Sequence, residues 1–406
     1  MLAYQDTNGK RGDNVQMSSD VPTVQEAFPR LLPDLWALDP GITFLNHGSF
    51  GSVPEPIRRA CEGWRARIEE RPIEMLGRRM PELLADARLQ VSRFLGSRPD
   101  CTGFVTNATA GCNAALAAIE WHAGDRVLFL NHGYNAIRQC IHHHAVTRGA
   151  EIDVVDVPWP VKGSADIVAR VLDAVRPRTR LLVIDQVTSP TALVLPVTGI
   201  VRGAHAAGLM TLVDGAHAPG MVDLDVTSIG ADWWCGNLHK WCYAPKGCAV
   251  LVASERQCDR THPPIISHHL GKSFADEFDW QGTFDAAPWL CAADAIDFSV
   301  TAAGGSLRER NRRLARWAHD MLCERLGEAP LVESDADELL GSMACVRVPG
   351  PVRRRFASAA DMQAWLYAEH RIEIPVIDFG GWHMRLSAAP YNTNDDYEHL
   401  ANALCA

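Results

Sequence analysis

The chain has 406 residues, 47% hydrophobic and 22% charged, with a formal net charge of −10, enough to bury a sizeable core and too acidic, without any basic block, for tight nucleic-acid binding. Its twelve cysteines are scattered and never spaced Cys-x-x-Cys, which excludes a disulfide scaffold and reads as reduced, mostly buried thiols. No run of eighteen apolar residues and no signal-type apolar region is present, so the expectation is a cytoplasmic protein that spans no membrane and takes a small-molecule ligand.

Residues 1–28 carry Asn8-Gly9-Lys10-Arg11-Gly12-Asp13-Asn14 and little apolar periodicity, and read as a flexible N-terminal arm. Residues 29–300 form the larger unit. Within it, short apolar runs at Gly103–Thr106, Arg126–Leu130, Ile152–Val155, Leu181–Asp185, Met210–Asp214, Asp232–Cys235 and Ala249–Val252 alternate with helix-like stretches. Seven strands alternating with helices predict an α/β fold whose mostly parallel sheet is covered on both faces. A ligand then lies at the C-terminal ends of the strands. From residue 301 to 406 the pattern becomes a smaller α+β unit: a helix at Leu307–Leu326, a strand at Ser342–Val348, a helix at Ala359–Glu369, then strands at Ile372–Val376 and His383–Ser387. Gly350-Pro351-Val352-Arg353-Arg354-Arg355 reads as one of its connecting segments.

Two residues suggest the chemistry. Asp214 ends the apolar run Met210–Asp214, and Lys240 follows 26 positions later in Asn237-Leu238-His239-Lys240-Trp241. A loop lysine and a carboxylate at a buried strand end are what pyridoxal phosphate requires: an amine for the Schiff base and a carboxylate to keep the ring nitrogen protonated. Either residue alone reads more readily as an ordinary strand-end aspartate or a solvated lysine, and the neighbouring motifs reverse that. Several neighbours complete a site. Ala108, Thr109 and Ala110 lie where a strand turns into a helix, whose free N–H groups would cradle the phosphate together with the Thr109 hydroxyl, although a capped helix without ligand reads the same way. Tyr134 would stack on the ring, His217 would orient the Asp214 carboxylate or touch the ring, and Gln186 and Ser189 would bond the phenolic oxygen. Arg385 is the candidate for a substrate α-carboxylate, since its fork makes two parallel bonds, and Asn46 and His47 would line the same pocket. His142-His143-His144 invites a metal reading, but consecutive helical residues point apart, and no metal is assigned.

These stretches, with Phe44-Leu45-Asn46-His47-Gly48-Ser49-Phe50-Gly51, Thr106-Asn107-Ala108-Thr109-Ala110-Gly111, Asp214-Gly215-Ala216-His217-Ala218-Pro219-Gly220 and Arg385-Leu386-Ser387, resemble the class V aminotransferase group of fold-type I pyridoxal phosphate enzymes, in its isopenicillin N epimerase-like branch. The resemblance covers about residues 40 to 395. It implies an aspartate aminotransferase-like architecture, Asn237 and His239 donating to the phosphate, and a homodimer in which Thr283, in Gln281-Gly282-Thr283, reaches the partner's site. It implies catalysis by Lys240, Asp214 and His217 at the Cα of an amino-acid moiety, here on a bulky substrate of specialised, antibiotic-type metabolism. The expected reaction is β-elimination from a cysteine S-conjugate or decarboxylation-coupled oxidative deamination, with epimerisation, transamination or a cysteine desulfurase-like reaction as alternatives. A cysteine desulfurase would need a mobile thiol, and Phe379–Arg385 contains none.

Overall fold

Residues 26–332 and 334–405 are described by a computed structural model of the chain. A short β1 (Thr43–Phe44) precedes seven strands: β2 (Thr102–Val105), β3 (Arg126–Leu130), β4 (Glu151–Val155), β5 (Thr179–Asp185), β6 (Met210–Asp214), β7 (Trp233–Asn237) and β8 (Ala249–Ala253). They form one sheet in the order β2-β8-β7-β6-β5-β3-β4, with β8 antiparallel to both neighbours and every other pair parallel. Leu181–Ile184 of β5 are completely buried, as expected of a central strand with helices on both faces. The strands of the predicted sheet are therefore present, each within a residue or two of its expected bounds.

Local packing carries the helix Ala108–Ala117 onto the sheet. A Cβ added to Gly111 would lie 2.8 Å from the Cys235 sulfur of β7, so only a residue without a side chain allows this approach. The N-terminus of that helix thereby arrives beside the C-terminal ends of β6 and β7.

The smaller unit contains the helix Leu307–Leu326, β9 (Met343–Arg347), the helix Ala359–His370, β10 (Ile372–Glu373), β11 (Val376–Asp378) and β12 (Trp382–Ser387). Strands β11, β12 and β9 make an antiparallel sheet in that order. The single strand expected at Ile372–Val376 is two: β10 pairs with β1, β11 pairs with β12, and the chain changes partner at Ile374-Pro375, where proline offers no N–H to continue a ladder. Gly350–Arg353 is a short helix between β9 and Ala359–His370, so this segment lies inside the smaller unit, not between the two.

Of the predicted N-terminal arm, residues 1–25 lie outside the described residues. Phe28 is 4% exposed, its ring 6.5 Å from that of Trp317, and its N–H donates to Asn394 Oδ1 at 2.7 Å. With β1 parallel to β10, the N-terminal segment grouped by sequence with the larger unit pairs with the smaller one. It then turns back, through the Gly48 N–H bond to Ser387 Oγ at 3.1 Å, to reach the strand ends of the large sheet.

Candidate active site

A cavity of about 800 Å³ opens where β5, β6 and β7 end, closed from the other side by the N-terminal turn and by β11 and β12. Lys240 and Asp214 both line it. Lys240 follows β7 by three residues, and its Nζ lies 3.0 Å from His217 Nε2. Burial lowers the lysine to about 8, overcoming the opposite pull of Asp214. The indole N–H of Trp241 lies 3.4 Å from His217 Nδ1, so in the neutral imidazole the proton sits on Nε2, where the Lys240 amine accepts it whenever the lysine is uncharged. Burial, followed by the Lys240 and Arg385 charges, holds His217 well below its ordinary value, so it is neutral. Asp214 is 3% exposed, and its Oδ1 accepts from Ala216 N–H at 2.9 Å. Burial raises its carboxyl above the usual range, and the favourable partner for such a carboxylate is a cation brought in from outside.

At the phosphate end the expected cradle is partly occupied by the protein itself. Asn107 caps the helix by accepting from Ala110 N–H at 2.9 Å, and Asn237 Oδ1 accepts from Ala108 N–H at 2.8 Å. Of the three residues proposed, Thr109 keeps both its N–H and its hydroxyl for a ligand, Ala108 contributes cavity wall, and Ala110 does not reach the cavity. Asn237 and His239 line it. His239 Nδ1 is 2.9 Å from the Cys248 carbonyl and must donate to it. Burial lowers His239 to about 4, so its free Nε2 becomes a donor to phosphate only when the anion's own charge raises that value. Thr283 is exposed and does not line this cavity.

Arg385, on β12, is 4% exposed and lines the opposite wall. Its Nη1 donates to the Ser189 carbonyl at 2.7 Å and its Nη2 to Ser49 Oγ at 2.6 Å and Asn46 Oδ1 at 3.4 Å, while Nε has no partner. Every one of these acceptors is neutral. A buried guanidinium without a carboxylate partner among the described residues is suited to bind an anion.

Four expected ligand contacts are redirected. Ser189 lines the cavity, but its carbonyl and hydroxyl hold the Arg385 fork. Asn46 joins Arg385 to Glu373, its Nδ2 lying 3.2 Å from Glu373 Oε1, and His47 sits behind the lysine, 3.0 Å from the Lys240 carbonyl and 2.7 Å from the Tyr391 hydroxyl. These two support the pocket without lining it. Gln186 turns to the other face of the sheet, where its Oε1 accepts from Trp234 Nε1 at 2.8 Å. Asp185, one residue earlier, faces the cavity in its place. Tyr134 lines the cavity and is 43% exposed, and Lys246, not singled out in the sequence, also lines it. Like Asp214, Asp185 is an acid ending an apolar run, but that run carries no alternation that would have told it from Gln186.

A lysine amine with a lowered pKa, a buried strand-end carboxylate, a free N–H and hydroxyl at a helix start and an uncompensated guanidinium converge on one cavity, and this donor set fits pyridoxal phosphate and an amino acid. The Aminotransferase class-V family profile matches residues 60–400. Isopenicillin N epimerase of Amycolatopsis lactamdurans is 34% identical over 387 residues, covering 91% of this chain and 96% of that protein. The Streptomyces clavuligerus isopenicillin N epimerase is 33% identical over 399 residues, covering 94% and 98%. A probable chloroplastic L-cysteine desulfhydrase of Arabidopsis thaliana is 28% identical over 402 residues, covering 90% and 83%. Among solved structures, a cystine C–S lyase in complex with cysteine persulfide superposes with a TM-score of 0.76 at 20% identity, covering 89% of this chain and 97% of that one, which establishes the shared fold. The chain therefore belongs to the class V aminotransferase family and is a pyridoxal phosphate-dependent enzyme of fold type I.

Proposed function

We propose that this enzyme removes the Cα proton of an amino-acid moiety on a bulky substrate of specialised, antibiotic-type metabolism and expels a β-thiolate, the C–S lyase reaction of a cysteine S-conjugate. The observation that carries the reading is Arg385, a buried cation with only neutral partners, facing across one cavity a Lys240 amine that burial lowers to about 8. Bound pyridoxal phosphate supplies the electron sink that makes the Cα proton acidic. Lys240 and Asp214 would hold it at the aldehyde and the ring nitrogen, and Thr109, Asn237 and His239 would hold the phosphate.

The guanidinium fork fixes the α-carboxylate, and with it the direction of the Cα–H bond. Released by the incoming substrate amine, Lys240, lowered to about 8, accepts that proton in its uncharged form, while His217 Nε2 keeps Nζ in place. The electron pair left at Cα forms a double bond to Cβ as the Cβ–S bond breaks, and the sulfur leaves with its own pair. Thiol and 2-aminoacrylate leave, and water hydrolyses the latter to ammonia and a 2-keto acid. A firmly held carboxylate disfavours the decarboxylating route, because those contacts stabilise the ground state of the group that would leave. No cysteine lines the cavity among the described residues, and Cys345, opposite Arg385 on β9, is buried and pushed up to about 12; both facts speak against a desulfurase thiol. Phe50, 80% exposed, with Pro375 and Ile377, gives the cavity mouth an apolar surface suited to the body of a large substrate.

Epimerisation is the second reading, favoured by the 33% and 34% identities to the two epimerases. A homodimer with a shared site fits the exposed Thr283, and the twelve unpaired thiols fit a reducing cytoplasm. Incubation of the holoenzyme with S-substituted cysteines in deuterium oxide, followed by mass spectrometry, separates the reactions. Released thiol with a keto acid supports the lyase. Deuterium at an inverted Cα without thiol supports the epimerase, and carbon dioxide release without either rejects Cα-proton removal.

A further inference from the structure

The side chain left unexplained by this chemistry is Asp185. It ends β5 as Asp214 ends β6, and the two are register partners across the parallel pair, so their side chains leave the sheet on the same face. Both are 3% exposed and both line the cavity. Asp214 is tethered through Ala216 N–H, but Asp185 Oδ1 is buried without a hydrogen-bond partner. A native structure seldom leaves such an atom unsatisfied unless a ligand completes it.

Two carboxyl groups side by side in a buried site do not both ionise. Burial comes first among the forces raising Asp185 well above the ordinary carboxylate range, and the charge of Asp214 follows. The amide N–H groups of Tyr134 and Ser189, and the Lys240 charge, pull the other way without reversing it. Asp214, opposite the protonated ring nitrogen, is the member that gains by being ionised. Neighbouring strand ends are ~4.8 Å apart, so a pyridine ring set across them would present its nitrogen to one acid and its phenolic oxygen, two ring positions away, to the other.

We propose that Asp185 is a second cofactor-binding acid, kept as the neutral carboxylic acid and donating its O–H to the phenolic oxygen of pyridoxal phosphate while Asp214 serves the ring nitrogen. From the sequence alone this role fell to Gln186 and Ser189. Donation to that oxygen stabilises its anionic form and makes the neighbouring lysine-linked nitrogen easier to deprotonate, so the resting colour of the enzyme reports the contact. The inference rests on the cofactor site and not on which substrate bond breaks, so its failure would leave the C–S lyase reading standing, and the converse holds as well.

The test is a pH titration of the visible absorption of the holoenzyme without substrate. Asp185→Asn keeps a neutral donor, and its midpoint should match the wild type. Asp185→Ala loses the donor, and its midpoint should rise by about one to two units, as for the loss of one hydrogen bond to a charged oxygen. A midpoint that falls by a unit or more in Asp185→Asn would mean that Asp185 is ionised and would overturn the proposal. Unchanged midpoints in both variants would reduce Asp185 to a brace for the Tyr134 and Ser189 amides and overturn it equally. Should Asp185→Ala fail to fold, infrared difference spectra of wild type against Asp185→Asn, both labelled with 13C-aspartate, decide the matter. A protonated carboxyl band lost in the variant supports the assignment, and its absence from the wild type rejects it.

Discussion

Three side chains carry predictions of their own. Asp214→Asn preserves shape and the Ala216 tether but not the charge, so turnover should fall a hundredfold or more, about 3 kcal/mol in the barrier, with the fold intact by circular dichroism; near-normal turnover would remove Asp214 from the ring nitrogen. Arg385→Lys replaces a fork held by Ser189, Ser49 and Asn46 with a single ammonium, and KM for any amino-acid substrate should rise at least about tenfold. Steady-state kinetics that match the wild type would take the α-carboxylate away from this residue. His47 supplies a pH test. Burial lowers it from 6.5 to about 4, so the unfolded chain binds the extra proton between those values. Its stabilising contribution is complete above about pH 6.5 and is lost as pH falls towards 4, about 3 kcal/mol in all. His47→Gln lacks this titration, and its deficit in urea denaturation should shrink steadily from pH 7 to pH 4.5; a constant deficit would mean that the imidazole is not buried neutral.

At the scale of elements, the strands and the chemistry at their ends were readable because an acid ending an apolar run marks the C-terminal edge of a parallel sheet. What could not be read is the phase of a strand buried on both faces. Leu181–Ile184 show no alternation of apolar and polar residues, and without it nothing distinguishes Asp185 from Gln186 as the cavity-facing residue. Ser189, Asn46 and His47 were misread for a related reason: their partners, Arg385 and the Lys240 carbonyl, lie about 200 or more residues away in sequence, and only the closed fold brings them together. The helix start at Ala108 was recognised with a cap as the alternative to a ligand, and the structure has both a cap at Ala110 and an open N–H at Thr109. Asn107 takes up the Ala110 N–H, so Asn107→Ala should cost ~1 kcal/mol of stability and shift the denaturation midpoint of the cofactor-free protein, while the freed N–H weakens the cap and not the Thr109 contact. Loss of cofactor affinity larger than that loss of stability would instead place Asn107 in the phosphate site.

For the whole molecule the open question is whether one chain holds a complete site. Thr283 is exposed and lies off the cavity of its own chain. Upstream in the same segment, Ile265, Ile266 and Leu270 are 60%, 52% and 57% exposed, more neighbouring apolar side chains than a lone solvated loop ordinarily presents. Closure against a second copy would bury them, and two-fold symmetry would then carry each Thr283 to the other chain. The expectation is tested with heterodimers purified by two tags, one chain carrying Thr283→Ala and the other Lys240→Ala. If the site is shared, one cavity of the pair receives Lys240 from the first chain and Thr283 from the second and is intact, while the other has both lesions. Turnover at limiting pyridoxal phosphate should then be about half that of the wild-type dimer, well above the Thr283→Ala homodimer. If Thr283 serves its own chain, the only cavity with a lysine also lacks the threonine, and the heterodimer cannot exceed its Thr283→Ala parent.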